Sequence, residues 1–146
     1  LQHVYAGLRG GGGDARLGAA ADRLIRALER TARETLAPGH YSAAVRHIET
    51  RLHEPGLGVR EVAAAVHLSE RQLARVFEER GGSPSRFIAD ARMRRAEELL
   101  ATGDRSVREV AAACGYASAS HFSHAFRAHA GCSPTAYRGR ALAGSA

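Results

Sequence analysis

Apolar residues recur along this chain at the three- and four-residue spacing of amphipathic helices. Leu17, Leu24 and Leu28, with Ile25 beside them, mark a helix over 14–37 that Pro38-Gly39 should stop. A second helix begins at a Ser42 cap, carries Val45, Ile48 and Leu52 on one face, and ends at Pro55-Gly56. Val59, Val62, Ala63 and Val66 then form one face of a short helix, and His67-Leu68 a tight turn. Ser69 caps the next helix, which runs to about Arg80 with Leu73, Val76 and Phe77 inward and Arg71, Ala74 and Arg75 outward. After Gly81-Gly82, Ser83 and Pro84 start a longer helix to about Ala101, with Phe87, Ile88, Met93, Ala96, Leu99 and Leu100 as its apolar contacts. Some 17 residues at 1.5 Å each give it a reach of roughly 26 Å. Val107 to Cys114 is a second short helix, Gly115-Tyr116 its turn, and Ser118 the cap of a helix from Ala119 to about His129. There Phe122, Ala125 and Phe126 point inward; Ala119, Ser120, Ser123 and His124 point outward. Ser133-Pro134 opens a last short helix through Tyr137, and residues 139–146 read as a flexible tail.

The two middle stretches are one unit built twice. Val59-Arg60-Glu61-Val62-Ala63-Ala64-Ala65 returns as Val107-Arg108-Glu109-Val110-Ala111-Ala112-Ala113, about 50 residues on. The downstream landmarks return too: Leu73, Phe77, Ser83-Pro84 and Phe87 match Phe122, Phe126, Ser133-Pro134 and Tyr137. A short helix, a tight turn and a capped second helix make a helix-turn-helix, whose second helix fits a DNA major groove. A connecting helix of about 26 Å can hold two such recognition helices roughly 34 Å apart, one turn of DNA.

Charge agrees with a polyanionic partner. The net charge is +6, and all 21 basic residues are arginine, the side chain suited to bidentate phosphate and guanine contacts. Arg86, Arg92, Arg94 and Arg95 cluster on the connecting helix, either as solubility charge or as contacts to the phosphate backbone between two grooves. Glu70, Glu78 and Glu79 oppose phosphate, so the first recognition helix must approach by its arginine side.

Only Cys114 and Cys132 are present, with no metal-type or disulfide spacing, which fits a reduced cytoplasmic protein. His121, His124 and His129 lack the Cys or carboxylate that would complete a metal set. No apolar run spans a bilayer, and no cofactor or membrane contact is expected. The first residue is Leu1 with no signal-peptide pattern after it, and Gly10 to Gly13 form a run of four glycines. The chain reads as part of a longer protein.

At these residues the chain resembles the AraC/XylS family of bacterial transcription regulators. The resemblance covers about residues 42–138. It rests on the Val59 to Phe77 unit, the Pro84 to Leu100 helix, the stretch Gly115-Tyr116-Ala117-Ser118-Ala119-Ser120-His121-Phe122-Ser123-His124-Ala125-Phe126, and the closing Ser133-Pro134-Thr135-Ala136-Tyr137-Arg138. It implies an all-α, homeodomain-like, bihelical DNA-binding domain of seven helices. Its two helix-turn-helix units would share a long linker helix, and it would bind double-stranded promoter DNA and usually activate transcription. By the same resemblance DNA contacts fall on Ser69, Arg71, Ala74 and Arg75, on Ala119, Ser120, Ser123 and His124, and on Arg94 of the linker helix. RNA polymerase is a further expected partner. Residues 1–40 resemble the tail of an N-terminal sensing or dimerisation domain, so a small-molecule effector would act only through that domain.

Two departures stand out. Many members carry Arg where this chain has His124, so the second unit should position more than it discriminates. From Phe77 to Pro84 the chain is one residue shorter than most members. Two other functions compete: a Cys-dependent DNA repair or modifying protein, which would need an activated thiol, and a helical protein-interaction module that ignores DNA. Neither explains the duplicated unit as directly, and the chain is read as a non-enzyme.

Overall fold

The computed structural model describes residues 13–144, and the side chains of all of these except 13–16 and 29–38. Seven helices and no strand occur among them: α1 Gly13–Arg51, α2 Val59–Ala65, α3 Glu70–Glu78, α4 Pro84–Thr102, α5 Val107–Ala113, α6 Ala119–Ala130 and α7 Pro134–Ala143. The chain divides into two compact units between Gly39 and His40. Among the described residues no helix is long and apolar enough to cross a membrane.

Serine sets the helix starts. Ser69, Ser83, Ser106, Ser118 and Ser133 each accept a hydrogen bond from the backbone N–H three residues on, opening α3 to α7. At α3 and α5 the bond is reciprocated. Gln72 accepts from the Ser69 N–H at 2.9 Å, and Glu109 from the Ser106 N–H at 2.7 Å. The Ser106 hydroxyl also donates to the Glu109 carboxylate, at 2.8 Å, and that bond together with the one from the Ser106 N–H holds the Glu109 carboxyl below the usual carboxylate range.

The turns after α2 and α5 are the same device. Leu68 N–H donates to the Ala63 carbonyl and Tyr116 N–H to the Ala111 carbonyl, both at 2.9 Å. That closure needs a left-handed residue between helix and turn. Gly115 supplies it at φ 79° and His67 at φ 57°, the single non-glycine with positive φ among the described residues.

Within the described residues 40–144 there are two cores, and α4 serves both. The first gathers Ala44 and Ile48 of α1, Leu52 just after it, Leu57, Val62, Ala63 and Val66, Leu73 and Phe77 of α3, and Ile88 and Ala91 of α4. The second gathers Met93, Ala96 and Leu100 of α4 with Val110, Ala111, Cys114, Phe122 and Phe126. Aromatic rings reinforce each. Phe77 lies 4.9 Å from Tyr41 and 5.6 Å from Phe87, while Phe126 lies 5.7 Å from Phe122 and 5.4 Å from Tyr137. The Arg138 guanidinium donates to the Arg105 carbonyl, tying α7 to the loop before α5.

Two expectations need correction. The helical backbone of α1 continues through Pro38 and Gly39 instead of stopping there, so Ser42 lies inside α1 and does not cap a second helix. Proline forfeits one N–H bond and clashes locally, a finite cost, and strong helix formers resume at Ala43-Ala44. The boundary between the compact units still falls at Gly39. The last helix does not end at Tyr137: α7 reaches Ala143, well into the stretch expected to be a flexible tail. Arg138, Arg140, Ala141 and Leu142 are strong helix formers, and one interior Gly139 is too small a penalty to stop them. The N-terminal helix keeps its amphipathic stripe exposed: Leu17, Leu24 and Leu28 are 70%, 64% and 67% accessible.

The turn geometry yields a paired prediction. His67→Gly should raise stability by about 0.5–1 kcal/mol, because glycine removes the left-handed penalty. Gly115→Ala should destabilise by more than that, because a Cβ there would lie 2.3 Å from the Leu52 carbonyl. Urea unfolding monitored by circular dichroism measures both; equal and opposite effects would show that φ alone matters at Gly115.

Candidate nucleic-acid interface

Helix α3 buries Leu73 and Phe77, which turns Arg71 and Arg75 outward one helical turn apart. Both are exposed, and among the described residues neither takes part in an ion pair or a side-chain hydrogen bond. Some other arginines are occupied, whereas Arg46, Arg60, Arg108 and Arg127 are exposed as Arg71 and Arg75 are. Arg51 pairs with Glu54 at 3.0 Å and Arg95 with Glu98 at 3.2 Å. Arg80 stacks 4.1 Å over the Tyr41 ring, and Arg94, itself exposed, lies 5.7 Å over Phe87. Ser69 spends its hydroxyl on the helix cap, accepting from the Gln72 N–H at 3.1 Å. Ala74 is half-buried, three residues before Phe77 on the flank of the core stripe.

Helix α6 repeats the arrangement with weaker groups. Phe122 and Phe126 are fully buried, Ser120 and His124 exposed, and Ser123 half-buried. Ala119 does not point outward as expected. It packs against the second core, because Ala119, Phe122 and Phe126 fall on one stripe at three- and four-residue spacing. In register Arg71 corresponds to Ser120 and Arg75 to His124, so the first unit presents two guanidiniums where the second presents a hydroxyl and an imidazole. Ala117, Ser118, Ser120, His121 and His124 line one shallow groove.

Gln72 and His121, which were not among the expected contacts, are exposed at matched positions on the two helices. Their signal was the repeat register itself. His129 is drawn away from His121 and His124 to Glu97 of α4, 3.3 Å off. Among the described residues no three His, Cys, Asp or Glu gather as a metal set.

The placement of Cys114 argues against nucleophilic chemistry. Cys114 is completely buried, and that burial pushes its thiol up to about 11 despite Arg95 and Arg92 nearby. A reactive cysteine needs the opposite shift. Cys132 is partly exposed.

The comparisons with known proteins agree with this geometry. Residues 62–140 match a family described as a helix-turn-helix domain. The chain belongs to the AraC/XylS family. It is 36% identical over 93 residues to the transcriptional activator NphR of a Rhodococcus species, covering 64% of this chain and 28% of that protein. It is 35% identical over 104 residues to the transcriptional regulator ArgR of Pseudomonas aeruginosa, covering 70% of this chain and 31% of that protein. The chain thus spans less than a third of either relative. Among solved structures, an AraC-type regulator from Chromobacterium violaceum superposes with a TM-score of 0.66 at 30% identity, covering 73% of this chain and 96% of that one. The DNA-binding domain of the global transcriptional factor AdpA, solved with a target DNA, superposes with a TM-score of 0.63 at 34% identity, covering 73% and 93%. Fold and family are those of DNA-binding transcription regulators, which are not enzymes.

Alkylation at pH 8 separates the two thiols. Native protein treated with iodoacetamide should be modified at Cys132 and spared at Cys114 until denaturant is added, as read by peptide mass spectrometry. Rapid native labelling of Cys114 would contradict the buried, un-ionised thiol.

Proposed function

We propose that residues 40–144 read a bipartite site on double-stranded promoter DNA, with α3 and α6 entering successive major grooves. The observation that carries this reading is the exposed, unpaired Arg71 and Arg75 on one face of α3, matched by the outer face of α6. Arg75 reads guanine through N7 and O6, and Arg71 takes a neighbouring base or phosphate. Ser120, Ser123 and His124 hold the second half of the domain in its groove and discriminate less, since a neutral imidazole offers one donor where a guanidinium offers a fork. Ser69 and Ala74 border the first contact face and Ala119 the second, while Arg94 faces the backbone between grooves. The whole protein acts in the cytoplasm as an activator that contacts RNA polymerase, its effector entering through a domain joined to residues 1–40. The activator named among its relatives supports that assignment.

Two measurements test the reading. Arg75→Ala should cost about 1–3 kcal/mol on the selected duplex and relax preference at one base pair. Uniform loss on every duplex would make Arg75 a phosphate contact instead. Wild-type affinity should fall with salt at a logarithmic slope of about −0.9 per phosphate neutralised, and a flat response would remove DNA as the partner.

A further inference from the structure

We propose that Arg92 is a positioning residue that sets the register between the two helix-turn-helix units, and with it the half-site spacing the protein accepts. The proposal rests on the bipartite reading above. Its starting point is the geometry of α4. Ile88 and Ala91 enter the first core, whereas Met93, Ala96 and Leu100 enter the second. At 3.6 residues per turn these two faces lie roughly 140° apart around the helix, and Arg92 falls about midway between them. It stands in the seam where the two units meet.

Its guanidinium takes something from each side. Nη2 donates to the Glu54 carbonyl at 2.9 Å and to the Leu57 carbonyl at 3.4 Å, both in the loop between α1 and α2 of the first unit. On the other side it lies 5.8 Å over the ring of Tyr116, in the turn of the second unit. That turn is pressed close: a Cβ on Gly115 would lie 2.3 Å from the Leu52 carbonyl and 2.9 Å from Arg92 Nη2. Three chain segments therefore converge on one planar group. Its polar partners are backbone carbonyls, which cannot swing as a carboxylate side chain can, so the contact fixes position more than it neutralises charge. Nε is buried and finds no acceptor among the described residues.

Lysine could reach one carbonyl but could not also present a flat face to Tyr116. Removing the guanidinium should leave each unit's own core and recognition face whole, while loosening the angle and distance between them.

The test uses the full chain and duplexes carrying the selected half-sites at centre spacings from one base pair short to two base pairs long of the optimum. A further duplex has the second half-site scrambled. Wild type should lose about tenfold or more in affinity for each shift, since one base pair rotates and displaces a half-site along the groove. Arg92→Met should bind the scrambled duplex within about twofold of wild type while its spacing penalty shrinks to roughly threefold or less; Arg92→Lys should fall between. If Arg92→Met does not fold, Tyr116→Leu removes the stacking partner and should flatten the spacing profile in the same direction. A variant that keeps the full wild-type penalty, or that loses equally on every duplex, overturns the positioning role. Absence of any spacing preference in wild type itself overturns the bipartite reading beneath it.

Discussion

Helix α4 belongs to two cores at once, and the arrangement of the domain follows from that. A connecting helix with a single apolar stripe would dock both units on one side of itself. This one changes face between Ala91 and Met93, so its first half closes the core under α3 and its second half the core under α6. With 19 residues it spans about 28 Å, close to one turn of duplex DNA. Neither core is large. Each borrows part of its apolar surface from α4, so neither unit is complete without the helix that joins it to the other.

The same economy governs the surfaces. Each recognition helix commits one stripe to the core and a serine to its cap, which leaves a narrow outer face. On α3 that face carries two guanidiniums with no internal partner. Several arginines elsewhere are spent on nearby acids, on aromatic faces or, in Arg92 and Arg138, on backbone carbonyls. An unpaired, exposed arginine keeps all five donors for a ligand, whereas a paired one must first give up a contact. The second unit carries Ser120 and His124 at the matched positions, and its arginine, Arg127, stands in the last turn of α6 instead. The asymmetry between the two copies is chemical rather than structural, because their turns and closing aromatics are nearly superimposable in kind.

Much of this was legible in the chain because the repeat doubled every signal. Serine caps, the Leu73 and Phe77 stripe, the Phe122 and Phe126 stripe and the Ser-Pro starts are local, and local rules hold where the backbone is exposed at a helix end. The misreadings had separate causes. Pro38-Gly39 is a stop by propensity, yet the backbone stays helical across it. Residues 139–143 hold small and basic side chains that look like a tail, but capping at Ser133 propagates through them. Ala119 read as outward until its spacing to Phe122 placed it on the core stripe. Arg92 looked like one charge in a cluster of four, because the carbonyls it bridges are backbone atoms more than 30 residues away and leave no side-chain signature. Gly115 offered the one hint: glycine stands where the first copy tolerates His67, so something beyond the turn excludes a Cβ.

The most direct test of the account is selection of bound sequences from a random duplex pool using the full chain. The account predicts two half-motifs with centres about 10–11 base pairs apart, the sharper one rich in guanine where Arg75 reads it. A pool that remains random while binding stays salt-sensitive would contradict it, leaving a basic domain that holds DNA without reading it.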